Sequence, residues 1–150
     1  MRVLIQRVSQ ASVTIDGNIK SSIGSGLLLF VGIEEADGAE DIEWLVGKIC
    51  RLRIFDDVNG IMNLSVQEIN GEILVISQFT LHALVKKGNR PSYIRAARPE
   101  TAIPLYESFL KIIKETSGQN VLSGKFGADM KINLINDGPV TIYIDSKLKE

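Results

Sequence analysis

The chain has 150 residues, 45% of them apolar and 23% charged, with a net charge of −1. That length suits one domain with a real core, and the composition fits neither a disordered, a collagen-like nor a coiled-coil chain. A single cysteine and a single histidine exclude an internal disulfide and a cysteine-built zinc site, and they leave no recognisable ligand spacing for a metal.

In chain order, Val3, Ile5 and Val8 begin an alternating pattern that resumes at Val13 and Ile15, with Asp16-Gly17-Asn18 as a hairpin turn. Gly24-Ser25-Gly26 then breaks the chain before a buried strand over residues 27–33. The run at 26–33 is the longest apolar one, far short of the ~20 residues that span a bilayer. It also lies too far in for a signal-peptide core, so no membrane partner and a cytoplasmic location are expected. Asp37 reads as a helix N-cap, and Ile42, Leu45, Val46 and Ile49 follow at helical spacing, predicting a helix over 38–51 with Cys50 as a plain core thiol. The acidic run from Glu34 to Glu43 reads as a solvated face. A strand over 52–55, a turn at 56–60 and a strand pair around Asn70-Gly71 come next. The second strand of that pair, residues 72–79, is nearly all apolar and is expected to be central. A loop over 82–100 holds Lys86, Lys87, Arg90, Arg95 and Arg98 with no acidic residue before Glu100, a pattern suited to phosphate. The second helix is predicted over 101–117, with Pro104 in its first turn. Two last strands, 130–135 and 140–144, are joined by Asn136-Asp137-Gly138-Pro139. The whole is expected to be a single α/β domain, residues 1–150, with mixed, largely antiparallel sheets, two main helices and a tail at 146–150 that carries nothing diagnostic.

Common sites are missing. There is no G-x-G-x-x-G and no G-x-S-x-G, and Gly124-Lys125 has Phe126 where a phosphate-binding loop needs Ser or Thr. A Thr80–His82 pair is conceivable as nucleophile and base, but side chains two apart on a strand seldom reach hydrogen-bond geometry. The unusual feature is Ser77-Gln78-Phe79-Thr80, where an apolar strand ends in hydrogen-bonding side chains. These groups either satisfy the strand end and its turn or line a cleft at the end of a central strand. Asn136-Asp137-Gly138-Pro139 is a turn by composition, and a cis bond before Pro139 would fix the direction of neighbouring carbonyls.

Ser77-Gln78-Phe79-Thr80-Leu81, Lys87-Gly88-Asn89-Arg90-Pro91-Ser92, Gly124-Lys125-Phe126-Gly127-Ala128-Asp129-Met130 and Asn136-Asp137-Gly138-Pro139-Val140-Thr141 stand in this order. With the opening Met1-Arg2-Val3-Leu4-Ile5-Gln6-Arg7-Val8 and Met62-Asn63-Leu64-Ser65, they make the chain resemble D-aminoacyl-tRNA deacylases from residue 1 to about 145. The resemblance implies hydrolysis of the ester joining a D-amino acid to the tRNA 3′ end, a chiral proofreading step in translation quality control, with glycine on alanine tRNA as a further possible substrate. It implies no cofactor and a homodimer with sheets packed across the interface. It places Ser77, Gln78, Phe79 and Thr80 around the ester, with the backbone N–H groups near Phe79 and Thr80 as an oxyanion cradle. It makes Gly138 and Pro139 a gate that enters the partner's pocket and excludes L side chains. Phe126 and Met130 become pocket walls, with core packing as the other and favoured reading of Met130, and Lys86, Lys87 and Arg90 meet phosphates of the acceptor end. The alternatives are a non-catalytic RNA or small-ligand binding module and a Thr80-dependent hydrolase of a free ester or amide.

Overall fold

The computed structural model describes residues Met1–Glu150, and its frame is a six-stranded mixed sheet. Strand β1 (Arg2–Ile15) turns at Asp16-Gly17, both with positive φ, into β2 (Asn18–Ile23), as the Asp-Gly-Asn signal predicts. Strand β3 (Gly26–Gly32) runs antiparallel to the first half of β1. A short ribbon, β4 (Phe55–Asp56) with β5 (Met62–Leu64), stands apart from the sheet. Strand β6 (Glu72–Ser77) lies parallel to β3, and β7 (Val121–Ser123), which the sequence pattern does not reveal, lies parallel to β6.

Because β3 and β6 are apolar at nearly every position, they bury both faces. Leu27, Leu29, Val31, Ile73 and Val75 join the larger core with helices α1 (Ala39–Arg51) and α2 (Pro99–Ser117). Leu28, Leu74 and Ile76 face the other way, into a smaller core closed by Val8, Ala11, Val13 and Ile23. Cys50 is a buried core thiol, and burial pushes its pKa up to about 11.

Several expectations need correction. Gly38, not Asp37, is the N-cap of α1, and its amide donates to Asp41 Oδ2 at 2.9 Å. The Asp37 side chain is fully buried and instead accepts from the Met1 amino group and the Glu34 amide. The acidic run is thus only partly a solvated face: Asp41 too is buried, accepting from Ser146 at 2.6 Å and Lys147 at 2.8 Å. The tail begins by closing this network rather than trailing from the domain. Asn70-Gly71 is not a hairpin turn, because β6 pairs in parallel with its neighbours. It ends a helical turn in which the Gly71 amide donates to Val66 O at 2.8 Å. Helix α2 starts earlier than expected, so Pro104 lies inside it. Finally, the two last strands are one element, β8 (Lys131–Asp145), antiparallel to β1 on both sides of residues 137–140.

Candidate active site

Strand β6 ends at Ser77, and Phe79–His82 form a single 3-10 turn rather than the last residues of the strand. The Gln78 amide donates to Val31 O at 2.7 Å, so β3 fixes the point where strand becomes turn. Phe79 and Thr80 supply the first amides of that turn, where N–H groups lack intrahelical acceptors. Gln78 Nε2 donates to Thr80 Oγ1, tying two of the expected site residues together. His82 is fully buried with neither ring nitrogen hydrogen-bonded, so the Thr80–His82 pair does not form. Burial holds the His82 pKa below its ordinary value of 6.5.

Beside this turn lies a cleft of about 280 Å³. Ser77, Gln78 and Phe79 form one wall, and Phe126 and Met130 form another with Gly127, Ala128 and Asp129 between them. The floor is apolar, from Val31, Ile33, Ile76 and Ile132. Ala97 and Ala102, which no sequence signal marks, close the side nearest α2. Phe126 rests against Tyr106, with ring centroids 5.9 Å apart, and the Tyr106 hydroxyl donates to Val75 O at 3.0 Å. Phe79 is 56% exposed and meets Tyr93 edge-on at 5.0 Å, making an aromatic rim. Five of the expected site residues therefore meet at one cleft. Thr80 is not among the residues that line it.

Gly138 and Pro139 line no part of this cleft. Gln6 pairs with Thr141 and Val8 with Asn136, so residues 137–140 stand opposite Arg7 alone and bulge from β8. The Gly138-Pro139 bond is cis, and both residues are exposed. Asn136 Nδ2 closes the base of the bulge, donating to Arg7 O at 3.1 Å and Val140 O at 2.9 Å. The Arg7 side chain is buried and props the bulge from below: Nε donates to Asp137 O at 2.9 Å and Nη1 to Ile54 O at 2.6 Å. Asp56 and Asp137, both about half exposed, balance its charge at 3.3 and 3.4 Å. Arg7 belongs to the opening motif, but sequence alone gives no sign that it reaches Asp137.

Lys86, Lys87 and Arg90 are exposed on a loop closed by reciprocal amide–carbonyl bonds between Leu84 and Ser92, and no carboxylate pairs with any of them. Arg95, by contrast, pairs with Glu34 at 3.5 Å. No group of histidine, cysteine and carboxylate side chains is arranged to hold a metal, and no helix is long and apolar enough to cross a membrane.

Residues 4–145 match the family described as D-Tyr-tRNA(Tyr) deacylase. The chain is 64% identical to a D-aminoacyl-tRNA deacylase of Bacteroides thetaiotaomicron and 65% identical to one of Flavobacterium psychrophilum, each alignment covering 100% of both chains. Among solved structures, the c-Myc DNA Unwinding Element Binding Protein superposes with a TM-score of 0.91 at 41% identity, over 97% of this chain and 98% of that one. A probable eukaryotic D-amino acid tRNA deacylase shares the fold, with a TM-score of 0.81 at 20% identity. The chain belongs to the D-Tyr-tRNA(Tyr) deacylase family.

Proposed function

We propose that this chain hydrolyses the ester of D-aminoacyl-tRNA, releasing the free D-amino acid and tRNA. The observation that carries the reading is an apolar cleft whose polar wall ends in the opening amides of a 3-10 turn, with no nucleophile–base pair beside it. Such a site favours attack by water over a covalent route. The aminoacyl side chain enters the cleft between Phe126 and Met130. Water adds to the ester carbon, and the Phe79 and Thr80 amides stabilise the oxyanion that forms; one such donor is worth roughly 10²–10³ in rate. The C–O bond to the ribose then breaks and the sugar oxygen takes a proton. The ribose 2′-OH assists the water, which fits a wall without a protein base. Because an aminoacyl ester is already labile, positioning and electrostatics suffice.

Lys86, Lys87 and Arg90, unpaired and exposed, meet the phosphates of the acceptor end. Gly138 and Pro139 act in the cleft of a second copy, where backbone atoms fill the space an L side chain needs. Glycine, with no side chain to exclude, passes that gate. The test is release of amino acid from D- and L-tyrosyl-tRNA. Hydrolysis of the D-ester alone is expected. Hydrolysis of neither would leave a binding module in place of an enzyme, and equal hydrolysis of both would remove the gate.

A further inference from the structure

The backbone of the 3-10 turn that presents Phe79 and Thr80 is held at its start and at its end. In front, the Gln78 amide is tied to Val31 O at 2.7 Å. Underneath, Leu81 and His82 lie close against Gly32, but neither imidazole nitrogen has a hydrogen-bond partner within 3.5 Å. The last carbonyls of a short helical turn are left without intrahelical donors. Here the Leu81 carbonyl accepts from Arg2 Nη1 at 2.9 Å.

Arg2 is itself fixed. Its Nε donates to Asp145 Oδ2 at 2.9 Å, and Asp145 stands directly opposite Arg2 in the β1–β8 ladder. Asp145 Oδ1 accepts from the Lys147 amide at 2.9 Å, so the carboxylate cannot swing away without losing a second bond. The Arg2 and Asp145 side chains are only 20% and 10% exposed. A planar guanidinium engaged on two edges transmits position with little slack, which a lysine ammonium cannot do. β8 thus reaches the turn through Arg2, while its own Gly138-Pro139 bulge is held by Arg7, on the same strand as Arg2.

We infer that Arg2, seated on Asp145, is a positioning residue for the hydrolysis: it holds the backbone of the Phe79–His82 turn so that its first amides face the reacting ester. This rests on the reading of those amides as the oxyanion cradle. Loss of the clamp lets the turn shift, and a misplacement near 1 Å can lower a rate by ~10²-fold. Arg2 lines no part of the cleft, so its loss is expected to act on turnover rather than on binding of the aminoacyl group.

The experiment compares wild type, Arg2→Gln, Arg2→Lys and Asp145→Asn on D-tyrosyl-tRNA, with amide hydrogen exchange read at residues 79–83. Arg2→Gln is expected to lower kcat by about 10- to 100-fold with KM within twofold, and to speed exchange at those amides. Arg2→Lys, which keeps the charge should Arg2→Gln fail to fold, and Asp145→Asn should fall between. Added guanidinium should restore part of the lost kcat to Arg2→Gln, which a purely structural defect would not allow. A folded variant with wild-type kcat, or a loss confined to KM, would overturn the inference while wild-type hydrolysis leaves the cradle reading standing. A wild-type chain that hydrolyses no D-tyrosyl-tRNA would instead overturn the reading on which the inference rests.

Discussion

At the scale of single residues, His82 gives the chain an acid-side weakness with an identifiable origin. It is the only histidine, and burial lowers its pKa from 6.5; the Gly32 backbone and Glu34 oppose that shift, while Arg2 and the Met1 amino group add to it. The unfolded imidazole therefore takes a proton at a pH where the folded one does not. The associated stability is fully present above pH 6.5 and is lost as pH falls below it, by at most about 1.4 kcal/mol for each pH unit, until the folded pKa is reached. Denaturant midpoints between pH 8 and 5 should show this slope in the wild type and not in His82→Leu, whose carboxylate losses begin only nearer pH 4. An equal slope in both proteins would assign it to another group. Nothing in the local sequence shows this setting, because His82 is enclosed by strands and turns distant in the chain. The same holds for Asp37 and for Arg7, whose partners Ile54 and Asp137 lie 47 and 130 residues further along. That Ser77 to Phe79, Phe126 and Met130 share one cleft is a matter of the fold, although the motifs in which they stand are visible in the sequence.

Elements were legible where the local pattern settled them and misread where pairing did. The first hairpin follows from Asp16-Gly17-Asn18 alone, and both helices follow from apolar spacing. Asn70-Gly71 carries an equally strong hairpin signal, yet β6 is placed by parallel contacts with β3, which a short turn cannot supply. In the same way Asn136 to Pro139 has the composition of a turn, but the residues on either side pair with one continuous partner, β1. The join between β3 and the 3-10 turn is set by a close approach that only glycine permits. A Cβ at Gly32 would stand 2.9 Å from Gln78 O, 3.0 Å from Leu81 Cβ and 3.1 Å from His82 Cδ2. The carbonyl cannot yield without moving Gln78, so Gly32→Ala should displace the turn and cost about 1–3 kcal/mol in stability. Activity on D-tyrosyl-tRNA should fall by at least ~10-fold, well beyond the fraction unfolded at 25 °C. A variant with normal turnover would mean that the turn tolerates displacement and that its amides are not the cradle.

For the molecule as a whole, the cleft and the bulge belong to different places on one chain, so the proposed gate at Gly138-Pro139 is one that would act in the cleft of a second copy. Substituting Gly138 does not test this cleanly. With φ at +134°, and with a Cβ that would stand 2.8 Å from Arg7 Nη2 and 2.9 Å from Val140 Cγ2, Gly138→Ala disturbs its own chain before it meets any partner. Arg7→Lys is the milder change. It keeps the charge beside Asp56 and Asp137 but loses the fork that grips Asp137 O and Ile54 O, so the bulge should loosen and L-tyrosyl-tRNA should begin to be cleaved. Mixed dimers then separate the two geometries. Pair an Arg7→Lys protomer, with a sound cleft and a loose bulge, with a Gly32→Ala protomer, with a poor cleft and a sound bulge. If the bulge serves the opposite protomer, the one working cleft receives the sound bulge, and the mixed dimer cleaves the D-ester while rejecting the L-ester. If each bulge serves its own chain, the working cleft keeps the loose one, and the mixed dimer cleaves the L-ester as the Arg7→Lys homodimer does. Restored stereoselectivity on mixing is expected, and persistent L-cleavage would confine the gate to a single chain.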